Sequence, residues 1–191
     1  QIPTTLLAMI DSSIGGKTGV NLSRGKNLVG AIWHPKLIAI DPEVLSTLPV
    51  REINSAIAEA IKYGAILDRS LLNFIYDNLD EIINYKNPKI LLQIIISCAK
   101  HKAKIVTQDD MEKNIRRILN FGHTVGHAIE AYFGYDKIRH GEAVAYGMLI
   151  ALELSIQYTK LLIDDYNLLK NTILKLQLPE LPKLDIYKII S

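Results

Sequence analysis

The 191 residues are 49% hydrophobic and 22% charged with a formal net charge of +2, so the chain can bury a sizeable core and offers no electrostatic case for nucleic acid. Its lysines and arginines are scattered, and the one cysteine, Cys98, excludes an internal disulfide and suits a reducing, cytoplasmic compartment. The longest apolar stretch, near residues 143–152, falls short of a membrane span, so no membrane partner is expected.

Residues 1–48 alternate short apolar runs with turn formers. Thr5 to Ile10, Leu28 to Trp33 and Leu37 to Ile40 read as short strands joined by glycine loops. Gly15-Gly16-Lys17-Thr18-Gly19 ends like a phosphate-binding loop, but Asp11 stands where that motif requires glycine, which argues against a nucleoside triphosphatase. Two readings stay open. Backbone N–H groups with Lys17 and Lys26 suit a phosphorylated ligand or a cofactor pyrophosphate, and a solvated hairpin loop fits as well.

From Pro49 onward the periodicity is helical. Ile53, Ile57, Ala60 and Ile61 make the apolar stripe of a first helix, with Gly64 expected to stop it. Glu59 and Lys62, three apart, read on spacing alone as a solvent-exposed ion pair. Leu71, Leu72, Ile75, Leu79, Ile82 and Ile83 mark a second helix. After the turn at Asn87-Pro88 a third buries Ile90, Leu91, Ile94, Ile95, Cys98, Ile105 and Val106. Of Lys100, Lys102 and Lys104 at most two can face one site, because alternate residues on a helix diverge. Asp109 to Asn114 is loop-like, and residues 164–178 form a last amphipathic helix before the breaks at Pro179 and Pro182.

The stretch from Asn120 to Glu142 carries three of the five histidines. His123 and His127, four apart, share a helix face with Glu130, while His140 opens the next helix beyond Gly134, so two helices can converge on one metal. Gly122 and Gly126 strip side chains from the flanks and let a backbone or a ligand approach. Thr124 follows His123, so the zinc-protease pattern is absent.

Six blocks together carry a family resemblance: Pro-Thr-Thr-Leu-Leu-Ala, Asp-Ser-Ser-Ile-Gly-Gly-Lys-Thr-Gly-Val-Asn, Gly-Lys-Asn-Leu-Val-Gly-Ala, Ala-Glu-Ala-Ile-Lys-Tyr-Gly, Leu-Asn-Phe-Gly-His-Thr-Val-Gly-His-Ala-Ile-Glu and His-Gly-Glu-Ala-Val-Ala-Tyr-Gly-Met. They resemble the 3-dehydroquinate synthases, within the wider sugar-phosphate cyclases. The resemblance implies an NAD- and zinc-dependent lyase of the shikimate pathway, with Co2+ possible, that cyclises 3-deoxy-D-arabino-heptulosonate 7-phosphate with phosphate elimination. It implies a small phosphorylated substrate, a homodimer, and the metal ligands Glu59, His123 and His140, in place of the His123 and His127 pair that spacing alone favours. His127, Lys62, Asp11 and Glu112 match its catalytic positions. Lys17, Asn27, Lys102, Arg116 and Asn120 match its substrate contacts, Arg116 suiting a carboxylate by its planar fork. Thr4, Thr5, Lys17, Lys26, Val44, Leu45, Ser46 and Thr47 match its cofactor contacts.

The expected fold is mainly α: a helical metal- and substrate-binding domain over 49–191, preceded at 1–48 by strands and glycine loops at the edge of an incomplete α/β cofactor domain. The family's glycine-rich dinucleotide loop has no counterpart here, which reads as a fragment. Two rival functions remain: a cyclase acting on another heptulose phosphate, and a catalytically silent metal-binding module.

Overall fold

The computed structural model describes residues 1–22, 25–84, 87–134 and 137–181, with the backbone alone for Asn21 and residues 25–28. Six helices carry the core: α1 (Val50–Leu67), α2 (Arg69–Ile83), α3 (Pro88–Gln108), α4 (His123–Phe133), α5 (His140–Tyr158) and α6 (Ile163–Leu174). The fold is mainly α, as expected. Helix α1 lies at its centre, with Ile53, Ile57, Ala60, Ile61 and Tyr63 all sealed from solvent, and it touches α2, α3, α5 and α6. None of the helices is long and apolar enough to cross a membrane, among the described residues.

The one sheet among the described residues is an antiparallel hairpin of β1 (Lys17–Leu22) and β2 (Gly25–Ile32), in register Lys17 to Ile32 and Val20 to Val29. The second strand falls close to where the apolar run predicts it. The hairpin stands off the core, with Val20, Val29 and Ile32 about half exposed.

Two predicted strands are not found. Thr5 to Ile10 folds instead into a helical turn that becomes a π-helical turn over Ala8–Ser12, and Leu37 to Ile40 forms no strand. The reason lies in the spacing of Leu6, Met9 and Ile10, which at steps of three and four present one buried helical face to α3. In so short a run the apolar pattern fits either element, and burial decides.

Gly64 does not stop α1, which continues to Leu67. A Cβ at Gly64 would stand 2.9 Å from the backbone of Leu72, so the glycine serves the close crossing of α1 and α2. The stop is Asp68, whose carboxylate accepts from Ser70 N (3.0 Å) and Leu71 N (3.1 Å) to cap α2 and meets His101 Nε2 at 2.8 Å. Helix α3 starts by the same device: Asn87 accepts from Lys89 N, and Pro88 has no N–H to leave unpaired. The last helix is shorter than its pattern, ending at Leu174.

The Asp68 cap gives a testable pH dependence. Bonds from the Ser70 hydroxyl and His101 outweigh burial and bring its carboxyl down from 3.8 to about 2. The folded chain therefore keeps Asp68 ionised where the unfolded chain has taken up a proton. Its contribution is complete above pH 3.8 and is lost as the pH falls to about 2. Asp68→Ala is expected to lower stability by about 1 kcal/mol or more in urea melts at pH 7, and Asp68→Asn by less. The gap between wild type and either variant should close towards pH 2; a gap that persists there would show that the charge plays no part.

Candidate metal centre and anion cleft

Glu59 and Lys62 are not a surface pair. Their side chains are 1% and 2% exposed, on the face of α1 turned into the molecule, and they bond to each other through Glu59 Oε2. The other oxygen, Oε1, is buried with no hydrogen-bond partner among the described residues. Two imidazoles face it, His123 Nε2 at 3.5 Å and His140 Nε2 at 3.6 Å. An orphaned buried carboxylate oxygen is costly, and two imidazole nitrogens converging on it fit the donor set of a divalent transition metal. Burial, outweighing the pull of Glu59, lowers the His123 imidazole below 6.5, so that it offers a lone pair at neutral pH. Glu59, His123 and His140 thus fit a metal, and they leave coordination positions open as a catalytic site requires.

Three elements bring these ligands together. Helices α4 and α5 cross closely through glycines: a Cβ on Gly147 would lie 1.9 Å from the Gly122 carbonyl oxygen, and one on Gly126 would press on Val144 at 3.1 Å. The close approach expected of Gly126 is thus towards α5. Helix α5 begins at His140 with Glu142 accepting from Arg139 N (2.9 Å) and from Arg51 Nε (2.6 Å), which ties its first turn to α1. His127 is exposed, its ring centroid 5.4 Å from that of His123 and 5.9 Å from that of His140. It belongs to a second group of possible ligands, with Glu130 and His140, rather than to the Glu59 group.

Beside the triad lies a cleft of ≈ 720 Å³ lined by Asp11, Lys17, Thr18, Lys102 and Arg116 among others. Of Lys100, Lys102 and Lys104 it is Lys102 that is buried; its Nζ sits 2.8 Å from Asp11 Oδ1 and donates to the Asp11 carbonyl at 2.7 Å. Tyr63, sealed in α1, donates its hydroxyl to Asp11 Oδ1 at 2.6 Å. Burial pushes the Asp11 carboxyl up, but Lys102 and Lys62 beside it, with the bonds from Lys102 and Tyr63, hold it well below the carboxylate range. Burial lowers the ammonium of Lys102 against the attraction of Asp11. Burial and the Arg116 and Lys102 charges lower that of Lys17.

Arg116 is buried in the cleft wall, where its guanidinium donates to the Asp110 carbonyl (2.7 Å) and the Gly15 carbonyl (3.1 Å). The Asp109 carboxylate accepts from Arg116 N at 3.0 Å and fixes the turn that carries it. Glu112, in a left-handed conformation (φ 55), pairs with Lys17 and accepts from Asn120 Nδ2 at 2.9 Å. The cleft wall thus carries three cations, Lys17, Lys102 and Arg116, with the Asp11 carboxylate.

The model of the 3-dehydroquinate synthase C-terminal domain matches residues 56–191, and that of the N-terminal domain matches residues 1–55. The chain belongs to the 3-dehydroquinate synthase family. Relatives named 3-dehydroquinate synthase include one from Prochlorococcus marinus (strain MIT 9312), 48% identical over all of this chain and 54% of the relative. Another, from Dictyoglomus thermophilum, is 52% identical over 89% of this chain and 47% of the relative. The chain thus spans about half the length of the relatives it matches. Among solved structures, 2-epi-5-epi-valiolone synthase from Streptomyces hygroscopicus subsp. jinggangensis 5008, with NAD+ and Zn2+ bound, superposes with a TM-score of 0.89 at 27% identity, over 99% of this chain and 53% of that one. A 2-deoxy-scyllo-inosose synthase complexed with carbaglucose-6-phosphate, NAD+ and Co2+ superposes at 0.87 with 34% identity, over 99% of this chain and 52% of that one.

Of the positions matched to the family, Glu59, His123 and His140 form the triad and Asp11, Lys17, Lys102 and Arg116 line the cleft, while Lys62 pairs with Glu59 and Glu112 joins Lys17 to Asn120. Thr4, Thr5, Val44, Leu45, Ser46 and Thr47 do not line the cleft; Thr5 Oγ1 accepts from Ala8 N (3.2 Å), and Leu45 is a core residue. The side chains of Lys26 and Asn27 lie outside the described residues. Tyr63 is the residue that sequence reasoning passed over, although its place four after Glu59 put it on the same face of α1.

Proposed function

We propose that this chain is the metal- and substrate-binding part of a 3-dehydroquinate synthase, which converts 3-deoxy-D-arabino-heptulosonate 7-phosphate to 3-dehydroquinate with loss of phosphate. The observation that carries the reading is the buried, unpartnered Oε1 of Glu59 facing two imidazole nitrogens beside a cleft walled by Lys17, Lys102 and Arg116. Bound zinc (or cobalt) at Glu59, His123 and His140 and bound NAD would supply a Lewis acid at the carbinol oxygen and a hydride acceptor. The chain's own residues do the rest. Arg116, Lys102 and Lys17 hold the anionic groups, with the planar fork of Arg116 on the carboxylate. Asp11, held ionised, accepts from a substrate hydroxyl. Lys62 balances the charge of Glu59, and Glu112 with Asn120 steers Lys17. His127, exposed at the mouth of the triad, holds or moves the proton that accompanies the departing phosphate.

The cofactor contacts assigned to residues 4–5, 26 and 44–47, the division at 48/49, the homodimer and the cytoplasmic location belong to the same proposal. The carboxylate substrate is favoured over another heptulose phosphate because the relatives at 48–52% identity are named 3-dehydroquinate synthases. The test is made in the full-length protein with zinc, NAD and the heptulosonate phosphate, following phosphate release. Wild type should turn over, and Arg116→Lys should raise KM by roughly 10–100-fold, the range for losing a charge-assisted contact. Equal turnover of an analogue lacking the carboxylate would overturn the substrate assignment, and no phosphate release from any heptulose phosphate would overturn the reading as a whole.

A further inference from the structure

His123 and His140 present the same arrangement by different means. In each, Nε2 faces Glu59 Oε1, and in each Nδ1 meets an acceptor on the far side of the ring. For His123 the acceptor is the Phe121 carbonyl at 3.2 Å; for His140 it is Glu130 Oε2 at 3.3 Å. A carbonyl can only accept, and a carboxylate oxygen facing an imidazole nitrogen accepts as well, so each contact places a ring proton on Nδ1 and leaves the lone pair on Nε2. Glu130 comes from the third turn of α4, seven residues after His123, and its side chain is 1% exposed while that of His140 is 29% exposed. It sets a buried carboxyl against a ring that is partly open to solvent, and a buried polar group is kept where it is hydrogen-bonded.

We propose that Glu130 is the positioning residue of the metal centre. Its carboxylate holds His140 in the Nδ1–H tautomer and the rotamer that aims Nε2 at Glu59, and its charge makes that nitrogen a stronger donor to the metal. The inference rests on Glu59, His123 and His140 as ligands. Its rival is that Glu130 is itself a ligand, in the group it forms with His127 and His140, whose possible ligand atoms lie within 4.8 Å of one another. An ion there would compete for His140 with the one at Glu59. The Nδ1 acceptor that His140 shares in kind with His123 favours the positioning role.

The test uses this chain loaded with Zn2+ or Co2+ and compares wild type with Glu130→Gln, Glu130→Ala and Glu59→Gln. Zinc affinity is read by competition with a chromophoric chelator, geometry from the Co2+ d–d bands, and tautomer from the 15N shifts of the His140 ring. Wild type should bind one zinc with Nδ1 of His140 protonated. Glu130→Ala should weaken binding by about 10–100-fold, shift the Co2+ bands and free the tautomer. Glu130→Gln, whose amide oxygen still accepts, should keep the tautomer and lose less affinity. Wild-type affinity within about twofold in Glu130→Ala, with the tautomer unchanged, would overturn the proposal. So would two zinc equivalents in wild type that fall to one in Glu130→Ala, which would make Glu130 a ligand. Wild-type zinc binding by Glu59→Gln would instead overturn the ligand set on which the inference stands.

Discussion

Glu59→Gln is expected to abolish zinc binding by this chain while leaving it folded. Glutamine keeps the volume and the bond to Lys62, so the change isolates the charge of a carboxylate whose Oε1 has no hydrogen-bond partner among the described residues. In wild type, zinc at about a thousand times its dissociation constant should stabilise the fold by about 4 kcal/mol, because the ligand set exists only in the folded state. Urea midpoints with and without zinc measure it: a large shift for wild type, none for Glu59→Gln. Glu59→Ala should do further harm in the absence of metal. It removes the acceptor as well as the charge that face the buried Lys62 ammonium, and removing one partner of a buried pair costs roughly 3–5 kcal/mol. A zinc-dependent shift of wild-type size in Glu59→Gln would remove Glu59 from the ligands.

Charge pairs show why part of this site was illegible in the sequence. Glu59 and Lys62 at a spacing of three look like any solvated pair, and the local pattern does not mark them as buried, whereas Lys170 and Glu153, 17 apart on two helices, pair in the open. What buries the first pair is the packing of α3, α5 and the turn at Ala8–Ser12 around α1, a property of the whole fold. Helix periodicity, by contrast, reports local geometry, so α1, α2, α3 and α5 lie close to where their apolar stripes put them. The same geometry made His123 and His127 look like the natural pair. The proposed ligand set instead joins residues on α1, α4 and α5, and no spacing along one helix encodes a crossing of three; only the motif blocks pointed to it. Gly64 misled for a related reason, because a glycine that ends a helix and a glycine that admits a neighbouring backbone read alike.

Gly141→Ala is expected to be among the most damaging single changes available, although helix propensity alone would make it stabilising by about 1 kcal/mol. Gly141 is the second residue of α5, and its N–H donates to Ser55 Oγ at 3.1 Å. A Cβ there would stand 1.8 Å from the Ser55 carbonyl oxygen and 2.6 Å from its carbonyl carbon, both backbone atoms in the middle of α1. No rotamer relieves that contact, so the start of α5 must retreat by at least about 1 Å to regain van der Waals separation. His140 is the preceding residue and Glu59 lies one turn beyond Ser55, so the same retreat draws one ligand away from another. Metal–ligand bonds of about 2 Å tolerate errors of only about 0.2 Å. Stability should therefore fall by about 3 kcal/mol, at the upper end for overpacking, and zinc affinity by at least the 10–100-fold that follows loss of a supporting contact. Ser55→Ala alone, which loses the hydroxyl that accepts from Gly141 N, should cost about 1 kcal/mol. Because the obstacle is the carbonyl of Ser55 and not its hydroxyl, the double variant should be no better than Gly141→Ala. Recovery of zinc affinity in the double variant would show that α5 is held off by the side chain, and that the backbone contact does not set the spacing of the two ligands.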